Sequence, residues 1–339
     1  MRLPQYLMDS IQAEVEKIER RRMVEATAHL SERYKSGSFS SPVITSDAQR
    51  AAYLAIRFPA TYAADCRVFS EIELRAPQEP VTGAVPPHDG EEITSLLDLG
   101  AGPGTALFAA AETFSTLQHA TLIEADNRWI TLGKNLAAQS PLPAVVRQAQ
   151  WIRQDLRSGF SCPEHDLVVI SYVLGELAPA ASEAVVRQAW ACTRQFLIII
   201  EPGTPRGFAT INTARSALIA GGAEILAPCP HKNVCPMIQA ADWCHFAQRL
   251  ERTSQHRQLK GGSLGYEDEK FSYVIATRQS ITREGARIVR HPGKHSGHIQ
   301  LALCTPAGHI ETETVTRSHK QAFRLARKAE WGDLWEEQA

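Results

Sequence analysis

The chain has 339 residues, enough for one large domain or two modest ones, and its 44% hydrophobic content supports a packed core. A net charge of −1 excludes nucleic-acid binding through an overall positive field, so any such contact has to come from local patches. No apolar run in the sequence approaches the roughly 20 residues that a membrane helix needs.

Residues 4–33 hold no interior glycine or proline and are rich in Glu, Arg, Ala and Leu, which predicts a helix. Two further helices are expected at 47–56 and 60–72, with a polar loop at 36–41. Residues 76–90 (APQEPVTGAVPPHDG) read as a linker, which sets off a helical region over 1–90. The opening stretch has no signal-peptide core, and its Asp9, Glu14, Glu16 and Glu19 are at odds with acid-poor transit peptides. The expectation is a cytoplasmic protein of bacterial type whose seven cysteines are not disulfide-bonded. Cys66, Cys162 and Cys192 are scattered and read as ordinary core residues.

From residue 93 strands and helices alternate, which predicts a parallel α/β sheet. Residues 96–108 (LLDLGAGPGTALF) give a short apolar strand, three glycines at alternate positions (Gly100, Gly102, Gly104) and the start of a helix. Strand, glycine turn and helix let the backbone approach a bound nucleotide closely. A dinucleotide loop needs G-x-G-x-x-G. Here Thr105 stands at the third glycine position, Pro103 lies inside the loop and Asp98 just before it. The stretch resembles the first motif of class I S-adenosylmethionine methyltransferases, whose loop admits the amino-acid portion of the ligand. The plain alternative is a tight turn that binds nothing.

A second strand at 120–124 ends in Glu124, twenty residues past Gly104, where a doubly wound fold puts the carboxylate that binds ribose hydroxyls. Asp126 competes for that role, and an acid opening the next helix also suits its dipole. A third strand at 149–152 precedes Asp155, a candidate for the adenine amino group that could equally cap a turn. Residues 166–171 and 196–201 give a fourth and a fifth strand, followed by a helix at 206–219 that Gly221 and Gly222 break. No Asn-Pro-Pro-Tyr element and no Pro-Cys nucleophile follows the fourth strand, so no substrate class is marked.

Cys229, Cys235 and Cys244 are then spaced Cys-x5-Cys-x8-Cys, and a fourth cysteine stands at Cys304. Four thiolates suffice for an iron–sulfur cluster or a structural zinc. The long spacing and the two Cys-Pro pairs lean toward a cluster, while His231 and His245 keep a mixed zinc site open. Alternation at Ile299, Leu301 and Leu303 puts Cys304 at the end of a strand, before a turn at 305–308 and a returning strand at 310–315. Arg278, Arg283, Arg287, Arg290 and Lys294 form one basic segment. A helix expected at 316–329 would carry Arg317, Lys320, Arg324, Arg327 and Lys328 on one face and Ala322, Leu325, Ala326 and Ala329 on the other. Such a face is either simply solvated or reads a phosphate backbone.

ISYVLGEL, EPGTPRGF, APCPHKNVCPM with WCHF, KGGSLGYEDEKFSYVIATR and TRSHKQAFRLARKAEWGD, with RFPATYAA near Arg57, together resemble the mitochondrial small-ribosomal-subunit methyltransferase-like family and its bacterial relatives. The resemblance implies a Rossmann-like class I methyltransferase sheet and association with the small ribosomal subunit or its rRNA. It also implies a four-iron four-sulfur cluster on Cys229, Cys235, Cys244 and Cys304. The expected organisation is an N-terminal helical region (1–90), a methyltransferase domain (91–278) with a cysteine-rich insertion (227–246), and a basic extension of strands and a helix (279–339). Two functions stand at this level: an rRNA methyltransferase using S-adenosylmethionine, and a non-catalytic assembly factor on the same scaffold. No catalytic residue is assigned, and the oligomeric state is open.

Overall fold

The computed structural model describes residues 1–36, 44–75, 92–139, 143–252, 264–281 and 285–336. The expected linker at 76–90 and the loop at 37–41 lie outside the described residues. Two helices, α1 (Gln5–Val15) and α2 (Arg20–Ser36), stand where one was expected. Leu7, Ile11 and Val15 form the buried stripe of α1, and the chain turns once that stripe is seated. The next helix, α3 (Asp47–Arg75), runs through Pro59, where two helices were expected. An interior proline removes a helix hydrogen bond. Here Phe58, Ala60, Tyr62 and Phe69 are all buried, and this packing outweighs the loss.

The alternating part of the chain forms β1 (Ser95–Leu99), α4 (Thr105–Thr113), β2 (His119–Glu124), α5 (Asn127–Ala138), α6 (Ala144–Gln148), β3 (Gln150–Arg153), β4 (His165–Ser171), α7 (Pro179–Ala191), β5 (Thr193–Pro202) and α8 (Pro205–Ala220). Then come β6 (Glu224–Ala227), α9 (Pro236–Gln239), β7 (Phe246–Glu251) and β8 (Tyr266–Thr277). The strand order is β3-β2-β1-β4-β5-β8-β6, with β7 paired to β8. Strands β1 to β5 are mutually parallel. Strand β8 lies antiparallel between β5 and β6. This is a Rossmann-like α/β sheet of the class I methyltransferase kind, and the order reverses between β1 and β4, where open α/β folds bind their ligands. Helix α3 covers α4, with Phe58 edge-on to Phe108 at 6.0 Å between ring centroids.

The remaining strands, β9 (Ala286–Ile288), β10 (Gly293–Lys294), β11 (His298–Cys304), β12 (Ile310–Thr316) and β13 (Leu334–Trp335), form a second sheet beside helix α10 (Lys320–Ala326). Cys304 ends β11 before the turn, as its alternation implied. The helix expected at 316–329 is shorter because Thr316 is drawn into β12, opposite His298.

Arg287 is not part of a basic surface. It is 1% exposed and donates to the Pro228 carbonyl (2.9 Å), the Gly332 carbonyl (2.6 Å) and Glu71 Oε2 (3.0 and 3.1 Å). One guanidinium thereby joins α3, the cysteine-rich loop and the second sheet. Arg290 bonds Asp242, and Arg278 bonds the Trp190 and Thr193 carbonyls. Three of the five residues of the first expected basic segment are therefore engaged in internal contacts, and Arg283 lies outside the described residues.

Candidate functional site

The carboxyl ends of β1, β2, β4 and β5 open onto a cavity of about 1450 Å³. Gly100 and Gly102 line its wall. With Gly104 they turn the chain at φ of +74°, +54° and +84°, a region that only glycine enters cheaply. At Gly100 a Cβ would also lie 2.6 Å from Val173 Cγ2. Glu124 braces this turn: its Oε2 accepts from the Gly102 N–H and its Oε1 from the Asp126 N–H, both at 2.8 Å. Burial pushes the Glu124 carboxyl up in pKa, against the pull of these N–H donors. Asp126 instead caps α5, accepting from the Arg128 N–H at 2.9 Å. Asp155 lines the cavity, caps the turn at 156–158 and pairs with Arg157.

Asp98 is 2% exposed, and its Oδ2 has no hydrogen-bond partner among the described residues. Burial holds its carboxyl well above the usual range, and the charges of Asp65 and Glu124 add to that push. The structure thus brings Asp98, Gly100, Gly102, Glu124 and Asp155 to one cavity, with Gly104 closing the turn at the head of α4.

Sequence reasoning missed the other side of this cavity. Arg57 on α3 makes a two-armed ion pair with Glu269 on β8 (3.1 and 3.0 Å), and the Tyr172 hydroxyl donates to Glu269 Oε1 at 2.9 Å. Tyr172 has φ +59°, an uncommon conformation for an aromatic residue, held at a cavity wall. Glu201, at the end of β5, accepts from the Gly175 N–H, and burial lifts its pKa to about 7. Gly133 lets α5 reach the glycine loop, since a Cβ there would sit 2.4 Å from Trp151 and 2.9 Å from the Pro103 carbonyl. Asp65 carried a readable signal: it shares the apolar stripe of α3 with Phe58, Tyr62 and Phe69 at helical spacing, and a carboxylate there is out of place.

Cys229, Cys235, Cys244 and Cys304 line one small pocket of about 30 Å³ with Arg215 and Arg287. Burial raises the thiols of Cys235, Cys244 and Cys304, and each is raised further by other cysteines of the set; Cys304 reaches about 12. His231 Nε2 lies 3.4 Å from Cys304 Sγ. His245 stacks on Trp243 and meets Trp331 edge-on. Among the described residues no group of three or more His, Cys, Asp or Glu side chains stands in metal-holding geometry. The donor set itself fits a thiolate-bound centre: four sulfurs, no carboxylate in the lining and the buried Arg215 guanidinium to offset charge, Arg287 being paired with Glu71.

On α10 and its flanks, Arg317, Lys320, Arg324, Arg327 and Lys328 are all exposed, and Phe323, Ala326 and Ala329 are buried behind them. Leu325, expected on the apolar side, is 41% exposed.

Residues 47–336 match the family model described as mitochondrial small ribosomal subunit Rsm22. The chain belongs to the Rsm22 family. Human "Ribosome assembly protein METTL17, mitochondrial" is 28% identical to this Rsm22-family chain over 300 residues, covering 83% of it and 61% of the human protein. "Ribosome assembly protein RSM22, mitochondrial" of Saccharomyces cerevisiae is 22% identical over 331 residues, covering 66% of the chain and 53% of the yeast protein. The chain therefore spans little more than half the length of these two relatives. A solved magnesium protoporphyrin IX methyltransferase from Synechocystis, with bound S-adenosylmethionine, overlays at a TM-score of 0.41 with 13% identity, covering 73% of this chain and 90% of that one. That likeness is too loose to bear on chemistry. The expectation of a cytoplasmic protein of bacterial type is corrected by these findings: the family and both curated relatives are described as mitochondrial.

Proposed function

We propose that this Rsm22-family chain binds S-adenosylmethionine in the glycine-loop cavity and acts as a methyltransferase on the small ribosomal subunit, through its rRNA. The observation that carries the reading is the left-handed glycine turn at the end of β1, braced by Glu124 above a cavity of about 1450 Å³. In this reading the backbone at Gly100, Gly102 and Gly104 admits the amino-acid portion of the cofactor and Asp98 faces its amino end. Glu124 meets the ribose hydroxyls and Asp155 the adenine amino group. Methyl transfer asks chiefly for alignment of nucleophile and sulfonium. The wall formed by Arg57, Glu269 and Tyr172 is the rigid surface against which an acceptor would be aligned. The exposed face at Arg317, Lys320, Arg324, Arg327 and Lys328 would meet phosphates.

A four-iron four-sulfur centre would be held by Cys229, Cys235, Cys244 and Cys304. When bound it supplies a cross-link, tying β11 of the extension (279–339) to the cysteine-rich insertion (227–246) of the methyltransferase domain (91–278). Zinc, with His231 beside Cys304, is the other outcome of metal and sulfide analysis. The names of the curated relatives favour a second reading of the whole chain, a non-catalytic assembly factor that uses the same cavity as scaffold.

The test pairs calorimetric titration of S-adenosylhomocysteine with methyl transfer from labelled cofactor to purified small subunits. Binding and turnover, both lost in Gly102→Asp, are the expected result. Binding without turnover supports the assembly reading, and no binding by the unaltered chain overturns the cofactor site.

A further inference from the structure

Asp65 is a fully buried carboxylate with too few partners. It is 0% exposed; its Oδ1 accepts from the Ser171 hydroxyl at 2.7 Å, and its Oδ2 has no partner among the described residues. Asp98 is buried beside the same cavity, and its Oδ2 is unpartnered too. The two acids come from α3 and β1, yet the charge of one is felt at the other. The arginines around the cavity serve other groups: Arg57 bonds Glu269, Arg157 bonds Asp155, Arg252 bonds Glu267 and Arg206 bonds the Gly175 carbonyl. Buried carboxylates are ordinarily paired with a cation, since desolvation is otherwise uncompensated.

We infer that Asp65 and Asp98 form one ammonium subsite, in which Asp65 of helix α3 is the second carboxylate receiving the protonated α-amino group at the amino-acid end of the cofactor. The inference rests on the cofactor reading above and adds a residue to it. A primary ammonium is a compact charge with three donors, so it can bridge two carboxylate oxygens from different elements. The sulfonium has no donor, and the ribose and adenine are accounted for elsewhere in the cavity. The Ser171 hydroxyl orients Asp65 from the end of β4 and leaves its second oxygen buried and unpartnered on a residue that lines the cavity.

Two ligands separate this idea from its alternatives. S-adenosylhomocysteine carries the ammonium, whereas 5′-methylthioadenosine has the same adenosine and thioether without it. In Asp65→Asn the affinity for S-adenosylhomocysteine should fall by about 10- to 100-fold, the loss expected for a charged hydrogen bond. The affinity for 5′-methylthioadenosine should stay within about twofold, and the ligand-free variant should melt no lower than the unaltered chain. An unchanged affinity for S-adenosylhomocysteine, or an equal loss for both ligands, overturns the subsite. If the asparagine variant fails to fold, Ser171→Ala carries the test, with a smaller loss expected for S-adenosylhomocysteine alone and an absent or ligand-independent loss overturning it. Should the unaltered chain bind neither ligand, the cofactor reading falls first and the subsite with it.

Discussion

The glycine-loop cavity and the cysteine pocket both bury ionisable groups, but one is about 1450 Å³ and the other about 30 Å³. Among the described residues that line the cavity the unpartnered atoms are the carboxylate oxygens Asp65 Oδ2 and Asp98 Oδ2 and the hydroxyls of Thr27 and Thr105, all oxygens. That chemistry matches a polar organic ligand that arrives from and returns to water. In the pocket the groups are thiols, raised by burial and by one another. A metal centre held there would take up the thiols as thiolates, and its insertion would be linked to folding rather than to turnover. The proposed cofactor site and the proposed cysteine centre thus differ in the softness of their donors and the room around them.

The sharpest way to separate the two is through Arg287, which lines the pocket and pairs with Glu71 at 1% exposure on both sides. Arg287→Met should strip the two Arg287 hydrogen bonds from Glu71 Oε2, leaving Arg67 on Oε1, and cost on the order of 2–3 kcal/mol in denaturant unfolding. Limited proteolysis should show residues 285–336 released first. Next in size, Cys235→Ser should remove metal and sulfide and loosen the same residues, while affinity for S-adenosylhomocysteine stays unchanged. A parallel loss of affinity would show the two sites coupled and end the contrast between them. Unchanged protease protection would refute a cross-linking role for the centre and leave Arg287 as the connection.

Gly100→Ala acts on the cavity alone. It meets both a positive φ and a 2.6 Å contact with Val173, and it should weaken S-adenosylhomocysteine by more than about tenfold in calorimetry without altering metal content. A smaller effect belongs to pH. Burial holds Asp65 at about 7 in the folded chain against an ordinary 3.8. A raised carboxyl contributes stability that is whole below about pH 4 and is lost as pH climbs through about 7. The Asp65 charge also raises the Asp98 carboxyl, the Cys66 thiol and the Tyr172 hydroxyl, so the comparison with Asp65→Asn reads the loss of that charge together with the relief of these neighbours. The melting-temperature advantage of that variant should widen from about pH 5 to about pH 8, and a constant gap would mean that Asp65 does not titrate there. The smallest effect is at the surface. Replacing Lys320, Arg324 and Arg327 by Glu should flatten the salt dependence of rRNA binding by about two to three units of slope, and an unchanged slope would mark the helix as merely solvated.

The features legible in the sequence alone were local. They were the apolar runs of β1, β2, β4 and β5, the left-handed turn at Gly100, Gly102 and Gly104, and Glu124 at the end of β2. Strand length, glycine freedom and acid spacing all act within some thirty residues. Cys304 at the end of β11 was legible from alternation. What escaped was set by partners far along the chain. Strand β8 (YEDEKFSYVIAT) is charged at one end and apolar at the other, and only pairing with both β5 and β6 decides that it inserts between them. Arg57 meets Glu269 across 212 residues and Ser171 meets Asp65 across 106. Pro59 looked like a helix end until the packing of Phe58 and Tyr62 outweighed its lost hydrogen bond. Arg287 looked like a surface charge until Glu71, Pro228 and Gly332 closed around it. Periodicity reports which face of an element is apolar, but the partner of a buried charge is fixed only when the elements are in place, because desolvation and pairing are properties of the assembled interior.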